Sequence, residues 1–186
     1  DMKNVLLHHT CKQDGGKDQV LKEAPFFAKE NQQINKEQFL GSGYYLWEDD
    51  IEQAHHWGKK HYNNQYYIVA FQCEIDEDFL LDLNSREGQK EFFELYSLYE
   101  KRAKQINQNV NKIPLNTFFN FWFKGKPGIK FAYKAIKVKD EIASLKREQR
   151  FDFTFHKPNY TYLGGVYFYF FKRKEDMNVI NKEIVK

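Results

Sequence analysis

Six histidines are the residues best equipped for chemistry in this chain, and four of them form adjacent pairs, His8-His9 and His55-His56, with His61 and His156 apart. An imidazole can bind a metal or move a proton near neutral pH. Neighbouring side chains on a helix diverge by about 100°, so His55 and His56 do not readily face one ion. The two cysteines, Cys11 and Cys73, are too few for a Cys-based zinc site, so no metal centre is expected. The sequence has no Gly-x-x-x-x-Gly-Lys-Ser/Thr phosphate loop, no Gly-x-Ser-x-Gly elbow and no His-Glu-x-x-His helix. What remains is His8-His9-Thr10, then Gly41-Ser42-Gly43-Tyr44-Tyr45, and late in the chain Glu148-Gln149. Taken singly, each has a plain explanation: a buried and satisfied histidine, a turn, a core tyrosine, a solvated strand end.

Shared chemistry would need elements that bring these residues together. Val5-Leu6-Leu7 reads as a short apolar strand that delivers His8, His9 and Thr10 to its end. Residues 11–38 are polar, with Gly15-Gly16 and Pro25-Phe26-Phe27, and read as loop around a short helix. Gly41 and Gly43 bracket a tight backbone feature before a strand from Tyr44 to Trp47. Asp49 or Asp50 caps a helix running to about Tyr62, with Ile51, Ala54, Trp57 and His61 on one stripe. Tyr66 to Ile75 is a strand whose two faces are both apolar enough to be covered. Helical spacing runs from Arg86 to Val110, and the aromatic-dense Leu115 to Phe123 fits either helix or strand before Gly125, Pro127 and Gly128. Strand signals return at Ile129 to Val138, Phe151 to Phe155 and Tyr160 to Phe171. The sum is an α+β chain, read as one domain over 1–186 with a helical insertion around 86–126.

Composition narrows the class. Of 186 residues 41% are hydrophobic and 18% aromatic, enough for a real core. A formal charge of +3 permits nucleic-acid binding without arguing for it. The basic runs at Lys134, Lys137 and Lys139 and at Lys172-Arg173-Lys174 read as solvated faces. Two cysteines suit a reducing compartment, and no apolar run approaches the length of a membrane span. The expectation is a protein that works in a cytoplasm, its own or that of a target cell.

Order and spacing change the weight of the isolated signals. Leu6-Leu7-His8-His9-Thr10 resembles the opening strand of diphtheria-toxin-like and poly-ADP-ribose-polymerase-like transferases, which usually reads Leu-Tyr-His-Gly-Thr/Ser. Gly41-Ser42-Gly43-Tyr44-Tyr45-Leu46-Trp47, followed by Gln53-Ala54-His55-His56-Trp57, is similar to their Gly-x-Gly-Phe-Tyr-Leu-Thr strand and the Gln-Ala-x-x-Trp-Ala helix after it. Together these are similar to a bacterial group of small mono-ADP-ribosyltransferase domains, several of which are toxins. His9 stands where that group has Gly, and Trp47 where it has Thr or a small residue.

The resemblance implies split antiparallel β-sheets with flanking helices, and NAD, as substrate, in the cleft between them. It implies that His8, His9 and Thr10 bind the ribose end, that Gly41 and Gly43 let the backbone approach the ligand, that Tyr45 stacks on nicotinamide, and that Trp57 helps to wall the pocket. A late strand should supply a Gln or Glu: Gln149 first, Glu148 second, since a one-residue slip exchanges their faces. The implied activity is NAD-dependent mono-ADP-ribosylation of a macromolecular acceptor (protein, RNA or DNA) by a toxin, effector or phage-defence component, restrained by an antitoxin or immunity protein. Two alternatives stay open: an NAD glycohydrolase, and a catalytically inactive RNA- or protein-binding module on the same fold.

Overall fold

The computed structural model describes residues 1–105, 113–125 and 131–186. Its centre is a long strand, β1 (Met2–Lys12), paired along its whole length with β3 (Tyr66–Asp76). Apolar residues on both of its faces let β1 extend past the expected Val5–Leu7 in both directions, so the histidines lie within the strand instead of at its end. Side chains alternate across a strand. Leu7 and Cys11 therefore face one apolar cluster, while Thr10 reaches α2 (Ile51–His61) on the other face.

The remaining strands are β2 (Tyr44–Glu48), β4 (Leu80–Asp82), β5 (Ala135–Lys139), β8 (Tyr167–Phe171) and β9 (Val179–Ile184). They complete one seven-stranded sheet in the order β4-β5-β8-β2-β1-β3-β9, antiparallel except for β4 with β5. Two separate sheets were expected; the strands instead hydrogen-bond into one. That sheet is nearly divided at its middle, where β1 and β2 pair only at Leu7–Glu48 and His8–Trp47.

Both faces are covered. Along β8, Phe168 and Phe170 enter one core with Trp47, Ile68 and Ile136, while Tyr169 and Phe171 enter the other with Leu46, Val69 and Phe71. The first face is packed by α2, α3 (Arg86–Gln105) and α4 (Leu115–Phe123). The second is packed by α1 (Gly16–Glu23) through Val20, together with Ala24 and Met177. The helical segment predicted as an insertion is thus the connection between the parallel strands β4 and β5. Phe118, Phe119 and Trp122 of it are buried in the core, with Phe92, Tyr96, Phe121 and Phe123 packed against them, while Phe93 is exposed. Of that segment, 106–112 and Lys126 lie outside the described residues, as do Pro127, Gly128 and the Ile129 start expected for the next strand.

The last third departs most from expectation. Gly164-Gly165 divides the apolar run Tyr160–Phe171 into β7 (Tyr160–Leu163) and β8. β7 pairs with β6 (Gln149–Asp152) in a two-stranded sheet of its own, after the short α5 (Glu141–Leu145). Cys11 lies opposite Tyr67 and Cys73 opposite Val5, so the cysteines stand six rungs apart and both are free and buried. Among the described residues no helix is long and apolar enough to cross a membrane.

Candidate functional site

Beyond His8, β1 stays with β3, whereas β2 on the other side of Trp47 stays with β8. Their divergence makes a fork, and a cleft of about 850 Å³ opens there, lined by His9 to Lys12 of β1 and Tyr45 to Trp47 of β2. Trp57, His61 and Tyr62 wall it from α2 and the residue after it, Phe168 enters from β8, and Phe26, Phe27 and Phe39 close it from the segment between α1 and β2. Planar rings dominate the lining. Trp47 and Trp57 lie 5.8 Å apart, and Trp57 lies 4.1 Å from His61 with the two planes tilted by 35°.

His9, not His8, is the histidine of the cleft. Its Nδ1 donates to the Tyr45 carbonyl oxygen at 3.1 Å, and the Phe26 N–H donates to its Nε2 at 3.1 Å. A carbonyl only accepts, so the partners fix the proton on Nδ1. Burial is the main reason that its pKa falls to about 4, against the pull of the Tyr45 carbonyl; Lys174 adds to the fall. The ring is therefore a neutral clamp joining β1, β2 and the Pro25-Phe26 segment.

His8 points to the opposite face, as strand alternation requires once β1 runs through both histidines. It does not line the cleft, and its buried Nδ1 has no hydrogen-bond partner. Burial lowers its pKa, partly offset by Asp49 and Asp50. Thr10 borders the cleft, but its hydroxyl donates to the Ala54 carbonyl at 2.8 Å and so ties β1 to α2.

Tyr45 is held firmly. Its hydroxyl donates to the Gly41 carbonyl at 2.6 Å and accepts from the Leu40 N–H at 2.9 Å. Burial raises its pKa well above the usual phenol value, with Glu30 adding and the Leu40 N–H opposing. The hydroxyl is fully engaged, so what Tyr45 offers the cleft is its ring, set beside Phe39 and Phe168. Gly41 and Gly43 serve packing, contrary to the expected approach to a ligand. A Cβ on Gly43 would fall 2.3 Å from the Phe170 ring, and Gly41 has φ +94° with Asn120 in the space a side chain would need.

Neither residue expected from the late strand reaches the cleft. Glu148 forms an ion pair with Lys139 at 2.6 Å, and Gln149 is exposed opposite Leu163. The reason is topological: β6 pairs only with β7, while the strand beside β2 is β8, whose contribution to the cleft is Phe168. Sequence reasoning passed over Phe26, Phe39 and Phe168, and also Asp14 and Glu23, the two carboxylates among the lining residues. Aromatic density alone could not separate these rings from core. The chain matches no family model, no curated protein and no solved structure.

Proposed function

We propose that the chain binds NAD in the fork between β1 and β2 and transfers its ADP-ribose to a macromolecular acceptor, releasing nicotinamide. One observation carries this reading. The two segments whose order and spacing resemble ADP-ribosyltransferases, His8–Thr10 and Gly41–Trp57, supply His9, Tyr45, Trp47 and Trp57 to the walls of one cleft. His9 stands at the cleft in place of His8 and, with both nitrogens bonded within the protein, acts by holding β1, β2 and the Phe26 backbone in place around it. The rings of Tyr45, Trp47 and Trp57 provide flat faces for the heteroaromatic ends of a dinucleotide.

In the reaction the bond between nicotinamide and ribose C1′ breaks, and its electron pair leaves with nicotinamide. The acceptor nucleophile bonds to C1′ and gives up a proton. Positive charge builds on the ribose as the first bond breaks, and electron-rich ring faces stabilise a nearby cation. His9, neutral and bonded on both nitrogens, positions groups and moves no proton.

One feature favours a second reading, a binding module on the same architecture: Phe168 is what β8 supplies to the cleft wall, and Glu148 and Gln149 stay outside it. NAD labelled in its adenylate half, incubated with the protein and a cell lysate, separates the readings. Label retained on macromolecules is expected, and its loss to protease or to nuclease names the acceptor class. Consumption of NAD with no retained label would mean glycohydrolysis. No binding and no turnover would leave the binding module.

A further inference from the structure

The β6–β7 ribbon is exposed on both faces. The exposed rings are Phe151 at 48%, Phe153 at 68%, Phe155 at 103%, Tyr160 at 47% and Tyr162 at 52%. Neither strand bonds to a third among the described residues, and a lone hairpin is at best marginally stable in water. So many exposed rings on one small element mark a contact surface.

The chemistry of the ribbon identifies the partner. From Gln149 to Leu163 it carries five Phe and Tyr rings but only Leu163 as an open-chain aliphatic residue, so flat faces are abundant and greasy volume is scarce. The register places Arg150 opposite Tyr162 and Asp152 opposite Tyr160, so these four share a face. On it Arg150 lies 4.0 Å over the Tyr160 ring, held there by Asp152 at 2.9 Å, and the two tyrosines lie 5.6 Å apart. The one acid of the ribbon, Asp152, is paired with Arg150, and Glu148 just before it with Lys139, whereas Lys146 and Lys157 have no ion pair among the described residues. The charge left unmatched is positive.

We infer that the Tyr160, Tyr162 and Arg150 face binds single-stranded nucleic acid by base stacking beside cations. Stacking on aromatic rings accepts any base, and lysines track the phosphates. Leu163 stands five residues before Phe168, so a strand held here lies within about 18 Å of chain reach from the cleft. The inference does not depend on what the cleft binds.

The test is fluorescence anisotropy of the whole chain with labelled single-stranded RNA and DNA 20-mers of mixed sequence, alongside a duplex of equal length. Binding to the single strands is expected, tighter than to the duplex. The double variant Tyr160→Ala/Tyr162→Ala should weaken it at least tenfold, at roughly the cost of one lost stack. Lys146→Ala/Lys157→Ala should flatten the salt dependence, by about 0.7 in the log–log slope per lost phosphate contact. Phe151→Ala, on the other face of the ribbon, should leave affinity unchanged. Absence of binding, equal affinity for the duplex, or indifference to the tyrosine pair would overturn the inference and point to a protein partner. All the substituted side chains are exposed or half-exposed, so circular dichroism should show an intact fold in every variant.

Discussion

Adjacent histidines on one strand meet opposite environments, and that difference is measurable. His9 has both nitrogens bonded inside the protein, whereas His8 buries an Nδ1 with no partner. Removing a bonded buried group strands its partners at a cost of about 1–3 kcal/mol, while removing an unbonded one costs little. His9→Gln should therefore lower stability and abolish NAD binding, whereas His8→Leu should keep both, as read by urea unfolding and NAD titration. The reverse pattern would return the ribose-binding role to His8. His9 also sets a pH dependence. Its folded pKa of about 4 lies below the ordinary 6.5, so the unfolded chain takes up the proton first as pH falls. The contribution is complete above pH 6.5 and lost as pH drops towards about 4, at up to ~1.4 kcal/mol per pH unit. The stability difference between pH 7 and pH 5 should shrink in His9→Gln; an unchanged difference would show that His9 is not buried neutral.

At the scale of elements, α2 couples the cleft to the late hairpin. The Asp50 side chain accepts from the Gln53 N–H at 2.8 Å, capping the helix, and also pairs with Arg147 just before β6. Losing a cap of this kind costs about 1 kcal/mol. Arg147→Ala removes the tie to the hairpin and leaves the cap in place, so thermal melts should rank Asp50→Ala, which loses both, below Arg147→Ala. Equal losses would mean that the ion pair, not the cap, holds the helix. This helix was legible from its sequence because cap and periodicity agree, although Ile51, expected on the buried stripe, is exposed. β1, β2 and β3 were legible for a similar reason. The late strands were not: Tyr160–Phe171 is one apolar run, and only the turn at Gly164-Gly165 sends half of it to the ribbon and half into the main sheet. Pairing partners decide which strand reaches a cleft, and they leave no mark in a local window of sequence. Placing Gln149 or Glu148 in the site failed there, while the Tyr45 and Trp57 placements rested on nearby strong signals.

At the scale of the whole molecule, the fork is a structural weakness that a ligand would relieve. Two residue pairs join β1 to β2, against eleven between β1 and β3, so the halves of the sheet share little backbone bonding where the cleft opens. Regions with few backbone bonds open most easily. His9, Tyr45 and the Phe26 backbone currently bridge the gap, and a molecule seated between Tyr45, Trp47 and Trp57 would add contacts to both halves at once. Such a ligand binds only the folded state and stabilises it by ~2.7 kcal/mol at a hundredfold excess over its Kd. NAD should therefore raise the melting temperature in a concentration-dependent way and slow amide exchange first at Thr10, Tyr45 and Trp47. The outer strands β4 and β9, remote from the fork in sheet order, should gain protection only to the extent that global stability rises. A melting shift without selective protection at the fork would place NAD elsewhere on the molecule. If saturating NAD produced neither effect, the transferase reading would fall, and the aromatic cleft would have to be assigned to another flat ligand.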